Sequence, residues 1–308
     1  MDVKTPTHDM LDPGPLHWRD RLINAGARYL VRPSLGLPIP WSVHRAMFAL
    51  GGALRRRAKG VRVEKTTLGG RPALICTPPT PQRRLVWVHG GGFTVGSPRT
   101  HLAMATHIAR AADAVVILPS YRRAPEHPYP TASGDTYVAI GEAQSIREDL
   151  GALCLGGDSA GGNLVLGALS RHLAMGRRFG ALVLSSPATI LDPDRPVPQQ
   201  ANDILFPLSI LRRIGRDYGN GADPKLPTFS PVYADFSGAP PTLVHCARGE
   251  WLEEDTDTIA ERLASAGAPV HVEKAARAPH AFHFMAGASP QADHAVARMV
   301  AFLQQHTP

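Results

Sequence analysis

The 308-residue sequence predicts an α/β protein, a mostly parallel sheet with helices on both faces. Three observations carry this. Apolar runs of four or five residues recur along the chain, longer stretches with helical spacing separate them, and glycine clusters follow two of the runs. A strand that is apolar on both faces is buried on both, and strands alternating with helices build parallel sheets.

The strand runs fall at residues 85–88, 114–118, 153–155, 181–184 and 242–246. Helical spacing marks 101–112, 162–175 and 255–266, the last stopping at Gly267, a residue suited to a helix C-cap. Residues 61–77 read as two strands turned at Gly69-Gly70, an antiparallel edge. Two regions break the alternation. Residues 1–58 hold two amphipathic helical stretches split by Pro33 to Pro40, and 188–236 are rich in Pro and Asp with one helical piece at 208–218. The expected organisation is an α/β core domain of 59–187 with 237–308, and a helical cap of 1–58 with 188–236 lying over it.

Hydrophobic residues at 44% and charged residues at 19% are globular values, which excludes long disorder. The net charge is +7, so the surface is basic, with an attraction to anionic lipid or nucleic acid as the sharper reading. The densest basic run, Arg55-Arg56-Arg57 with Lys59, has no interleaved aromatics, so a nucleic-acid partner is not expected. Cys76, Cys154 and Cys246 are odd in number, widely spaced and set in apolar stretches, as expected of buried thiols in a reducing compartment. Met1-Asp2-Val3-Lys4 lacks the apolar run of a signal peptide, and no stretch reaches 18 apolar residues. A cytoplasmic protein without stable membrane insertion is expected.

Gly157-Asp158-Ser159-Ala160-Gly161 matches G-x-S-x-G between a strand-like and a helix-like run. A sharp turn there lifts a serine oxygen clear of the backbone, and the small flanking residues avoid a clash. His89-Gly90-Gly91-Gly92-Phe93 follows an earlier strand. A glycine run brings backbone N–H groups close to a ligand, and two of these with that of Ala160 can hold a tetrahedral oxyanion. Neither a Walker-type loop nor GxGxxG opening a helix is present, so a phosphate loop is not expected.

A base and an acid complete such a site. In the order serine, acid, histidine, the candidate bases are His271, His280, His283, His294 and His306. His271 lies in a strand-like alternation, and His294 and His306 lie in or beyond the final helix. His280 sits in a loop, Pro279-His280-Ala281-Phe282, with His283 as its rival. The HxxH spacing of these two lacks an intervening glutamate and a third ligand, so no metal is expected. Glu250, Glu253, Glu254, Asp255 and Asp257 crowd the place where the acid belongs. Most read as the solvated first turn of a helix, whose positive end favours acids.

HGGGF, Tyr121-Arg122-Arg123-Ala124-Pro125-Glu126, GDSAGG and Pro279-His280 together resemble the bacterial hormone-sensitive-lipase family of esterases over nearly the whole chain. The resemblance implies an α/β-hydrolase fold with a cap and no cofactor. It implies Ser159 as nucleophile, His280 as base, and Gly91, Gly92 and Ala160 as oxyanion donors, with His89, Gly90, Gly157, Asp158 and Gly161 supporting the motifs. Two departures stand out. Ser120 and Arg123 replace the family's usual Asp and Leu. The family's Asp, 30 residues before the histidine, is here Glu250, which can do the same work with one more methylene; Asp255 and Glu254 remain its rivals.

The expected function is a carboxylesterase acting on short- to medium-chain acyl esters through an acyl-enzyme. A lactonase or amidase would use the same machinery, and a non-catalytic small-molecule-binding protein on the same fold is the reading from another class. The presence of both Ser159 and His280 favours the enzyme. A small-molecule ester is the expected partner, and the resemblance adds a homodimer through the last strand edge, near residues 270–273.

Overall fold

A computed structural model of the chain describes residues 5–11, 14–196 and 201–307. The strands are β1 (Thr7–Met10), β2 (Arg62–Leu68), β3 (Arg71–Thr77), β4 (Arg83–Val88), β5 (Ala114–Pro119), β6 (Cys154–Asp158), β7 (Leu182–Ser185), β8 (Thr242–Ala247) and β9 (Val270–Ala275). They form one sheet in the order β1-β9-β8-β7-β6-β4-β5-β3-β2. Only the β2–β3 and β3–β5 pairings are antiparallel, which puts the turn at Gly69-Gly70 on the edge as expected.

The α-helices are α1 (Trp18–Gly26), α2 (Arg32–Leu35), α3 (Trp41–Ala53), α4 (Leu102–Ala112), α5 (Thr131–Ala143), α6 (Ala160–Ala174), α7 (Leu208–Gly219), α8 (Glu253–Ser265) and α9 (Pro290–His306), and a π-helical turn, Ala27–Val31, joins α1 to α2. Alternation along β4 shows how the core is divided. Leu85 and Trp87 pack in the layer under α4 and α9, whereas Val86 and Val88 face the layer containing α5, α6 and α8. All six β4 residues are buried. Even Arg83 and Arg84 are buried, because their guanidinium groups reach carbonyls of Thr307, Ala112, Gly151, Gln144 and Ile146. Cys76, Cys154 and Cys246 are buried free thiols.

The structure departs from the expected organisation at the N-terminus. Residues 7–10, inside the segment assigned to the cap, form β1 and pair in parallel with β9 from Thr7–His271 to Met10–Lys274. Their side chains are exposed, so no hydrophobic pattern marks the strand; its backbone pairing with an open sheet edge does. That edge is the one offered to a second copy of the chain by resemblance, and here the chain's own strand occupies it. Helices α1–α3 of that segment, with α7, line the cavity that contains Ser159.

Candidate active site

Ser159 lies between β6 and α6 with φ 53° and ψ −122°, a conformation that L residues rarely hold. The turn is held from both sides. Ser159 N donates to Ser185 O at 2.9 Å, and its carbonyl accepts from Asn163 N and Ala188 N. The flanking glycines are dictated by contact: a Cβ on Gly161 would sit 2.1 Å from Val88 O, and one on Gly157 would sit 2.7 Å from Gly161 O. Ala160 opens α6, so its N–H has no acceptor within the helix.

The HGGG loop is fastened to this turn through Asp158. Its buried carboxylate accepts from Trp87 Nε1 at 2.9 Å and Gly90 N at 3.1 Å, and lies 3.2 Å from His101 Nε2. Burial opposes the charge, but His101 and the donated bonds hold the carboxyl below its ordinary range. His89 contacts Gly90 O through Nδ1 and stacks on Tyr121, whose hydroxyl donates to His89 O. Burial pushes the His89 imidazole down to about 3, so it is a neutral brace. Gly92 has φ 55°, and a Cβ there would lie 2.4 Å from Ile214 Cδ1 of α7. Gly91, Gly92 and Ala160 line the same cavity as Ser159.

His280 follows β9 and lines that cavity as well. Its Nδ1 lies 2.9 Å from Glu250 Oε2, and both side chains are buried. Nε2, the other ring nitrogen, is buried without a hydrogen-bond partner among the described residues. Burial works against a charge on His280, yet the Glu250 carboxylate overrides it and raises the imidazole above its ordinary value. Ala281 N donates to Ser186 Oγ and tacks down the loop.

The rivals are placed elsewhere. His283 spends both ring nitrogens, Nδ1 on Ser185 Oγ at 2.7 Å and Nε2 on His245 Nδ1 at 2.6 Å. His245 in turn reaches Glu273, which Arg298 also holds. His271 lies on β9 against Thr7, and His294 and His306 lie on α9. Asp255, read from the sequence as a candidate acid or a solvated first-turn residue, is neither solvated nor near His280 by any contact. It is fully buried and accepts from Thr189 N and Ile190 N at 2.6 and 2.9 Å while pairing with Arg195. Glu254 also pairs with Arg195, and Glu253 and Asp257 pair with Lys274. These acids therefore anchor the base of the insertion and the β9 side of α8.

Several contacts around the site carry no sequence signal. Asp203 accepts from Leu205 N, Phe206 N and Trp251 N, tying the insertion to the Glu250 loop. Phe93 stacks on Tyr218 of α7 with ring centres 3.7 Å apart. Arg45 of α3 donates to Thr94 O and Ala124 O and grips Glu126 with both terminal nitrogens. Ser120 and Arg123, which replace the family's usual Asp and Leu, are accommodated locally: Ser120 Oγ donates to Pro72 O, and Arg123 donates to Gly96 O. The cavity encloses about 1220 Å³, and its walls include α1–α3, α7 and the stretch after β7.

A serine on a strained strand–helix turn, a glycine loop beside it and a histidine–carboxylate pair after the last strands define an α/β-hydrolase. The chain belongs to the α/β-hydrolase-fold family, whose model matches residues 85–284. It is 32% identical to an acetyl-hydrolase of Streptomyces hygroscopicus over 228 residues, 73% of this chain and 76% of that one. It is 31% identical to carboxylesterase NlhH of Mycobacterium tuberculosis over 265 residues, 80% and 83% of the two chains. The crystal structure of an esterase from the bacterial hormone-sensitive lipase family superposes with a TM-score of 0.86 at 28% identity, covering 96% of this chain and all of that one.

Proposed function

We propose that the chain is a serine carboxylesterase for short- to medium-chain acyl esters, with Ser159 as nucleophile, His280 as base and Glu250 as its acid. The observation that carries this is the shared cavity: Ser159 lines it on its strained turn, and so does the one ring of the histidine candidates bonded to Glu250. Glu250 holds the Nδ1–H tautomer, which leaves Nε2 as the proton acceptor. Ser159 Oγ attacks the ester carbonyl and its proton passes to His280 Nε2. The N–H groups of Gly91, Gly92 and Ala160 receive the negative charge on the carbonyl oxygen. Collapse of the tetrahedral species expels the alcohol, which takes the proton from His280, and leaves the acyl group on Ser159. Water then gives a proton to His280 and attacks the acyl carbon; collapse of this second tetrahedral species breaks the bond to Ser159 Oγ, which takes the proton back from His280 as the acid leaves.

The helices of the N-terminal segment and the insertion at 188–236 are read as the cap, which supplies most of the apolar wall for the acyl chain. The three buried thiols accord with a cytoplasmic location. A panel of p-nitrophenyl esters from acetate to decanoate, with lactones alongside, tests the substrate class. Ser159→Ala is expected to lose at least about a thousandfold in turnover, with its fold unchanged by circular dichroism, and a serine-directed phosphonate is expected to label Ser159 alone. Turnover surviving in that variant, or label on another serine, would displace Ser159 from its role.

A further inference from the structure

The outer surface of the N-terminal helices is apolar where a protein in water is normally polar. Of the fifteen large apolar side chains exposed among the described residues, ten lie between Trp18 and Leu54, so they are clustered rather than scattered. On α3 they form one stripe. Val43, Met47, Leu50 and Leu54 recur at i, i+4, i+7 and i+11, with Leu50 exposed to 61% and Leu54, just past the helix end, to 76%. The buried residues of the helix are Trp41, His44 and Gly52. A helix that only roofs a core turns its apolar stripe inward, and α3 turns one outward.

Charge identifies what covers this face. Residues 14–59 contain nine Arg and Lys and a single acid, Asp20, which is buried against Ser289 Oγ. Arg19 and Arg21 lie between the exposed Trp18 and Leu22, and Arg56, Arg57 and Lys59 follow the α3 stripe, all five exposed. The one cation of this segment in a salt bridge among the described residues is Arg45. A second copy of the chain would bring like charge against like. An anionic bilayer offers both an apolar interior for the stripe and negative headgroups for its flanks. The apolar surface also runs into the site, because Leu30, Val31 and Met47 are exposed and at the same time line the Ser159 cavity.

We propose that α1–α3 dock the protein on an anionic lipid surface with the cavity mouth toward the bilayer, so that lipid-soluble esters enter without crossing water. The docking stands on the surface alone; cleavage of what is admitted rests on the esterase reading above.

Flotation with vesicles of equal phosphatidylglycerol and phosphatidylcholine, against phosphatidylcholine alone, tests it. The protein is expected to float with the anionic vesicles, to be released by salt, and to shift Trp18 emission to the blue, with Trp18→Phe losing that shift. Each basic residue near an anionic surface contributes about 1 kcal/mol, so Arg56→Gln, Arg57→Gln and Lys59→Gln combined are expected to weaken partitioning about a hundredfold. Leu50→Ser with Leu54→Ser is expected to weaken it at least about tenfold. None of these five side chains lines the cavity, so hydrolysis of soluble p-nitrophenyl butyrate should stay within about twofold of wild type in both variants. Equal binding to both vesicle types, binding to neither, or leucine variants that bind like wild type would overturn the proposal. So would a wild-type dimer in sedimentation that the leucine substitutions disperse, since that assigns the stripe to a second copy. Vesicle binding without butyrate hydrolysis in the wild type would leave the docking standing and remove the esterase reading.

Discussion

Glu250→Gln removes one charge and almost no volume from beside His280. The contacting atoms are 2.9 Å apart and both residues are buried. With charge centres about 4 Å apart and an effective dielectric near 20, the carboxylate stabilises the imidazolium by about 4 kcal/mol. Each 1.36 kcal/mol is tenfold in rate, so kcat/KM should fall by about a hundredfold to a thousandfold. The pH profile moves as well. The base must be neutral to act, and burial alone would lower the His280 value; Glu250 raises it above 6.5. The acid limb of wild-type kcat/KM should therefore lie above 6.5 and, in Glu250→Gln, move to lower pH while the plateau drops. The assay is p-nitrophenyl butyrate hydrolysis from pH 5 to 9, with thermal unfolding as the control for fold. A loss below about tenfold with an unmoved acid limb would refute the pairing.

Three further outcomes follow from the contacts around the site. Asp255→Asn should leave turnover of the folded enzyme within about tenfold but lower stability by roughly 3 kcal/mol, because Arg195 loses a buried counter-charge; a thermal melt like wild type would contradict this, as would loss of turnover in a protein that stays folded. Gly92→Ala places a methyl 2.4 Å from Ile214 at φ 55°, so it should cost about a hundredfold in kcat/KM and shift chain-length preference, since both the HGGG loop and α7 must give way; an unchanged ester panel would count against the importance of this contact. Burial works against the Glu273 charge, but His245 and Arg298 hold its carboxyl down at about 2. Its stability contribution is therefore full above the ordinary value near 4.5 and lost as pH falls toward 2, and Glu273→Gln should flatten that part of a Tm-against-pH curve.

The parts of the site legible in the sequence are those whose chemistry is local. The G-x-S-x-G turn and HGGG need small residues at fixed offsets because neighbouring backbone lies within 3 Å of where a Cβ would be, as at Gly161 and Gly91. Double-sided burial made the strands from β4 to β8 visible as apolar runs. Helix α5 was not marked by the periodicity, and β1 could not be, since all four of its side chains face solvent. Asp158 was visible as a motif position but not as the link between the two motifs, because His101 and Trp87 reach it from other elements.

The sequence alone determined the fold class and marked Ser159, the glycine loop and, by order along the chain, His280 as the candidates, because each signal depends on neighbours within a few residues or on the run of strands. Choosing Glu250 from five crowded acids depended on spacing carried over from relatives, whereas the tertiary structure separated it from Asp255 by partner: one faces an imidazole and the other a guanidinium. His280 and His283 were divided in the same way, one with a ring nitrogen that has no partner among the described residues and one with both engaged. The outward stripe of α3 was likewise hidden, because helical periodicity records that an apolar face exists and only packing against the rest of the chain decides which way it points.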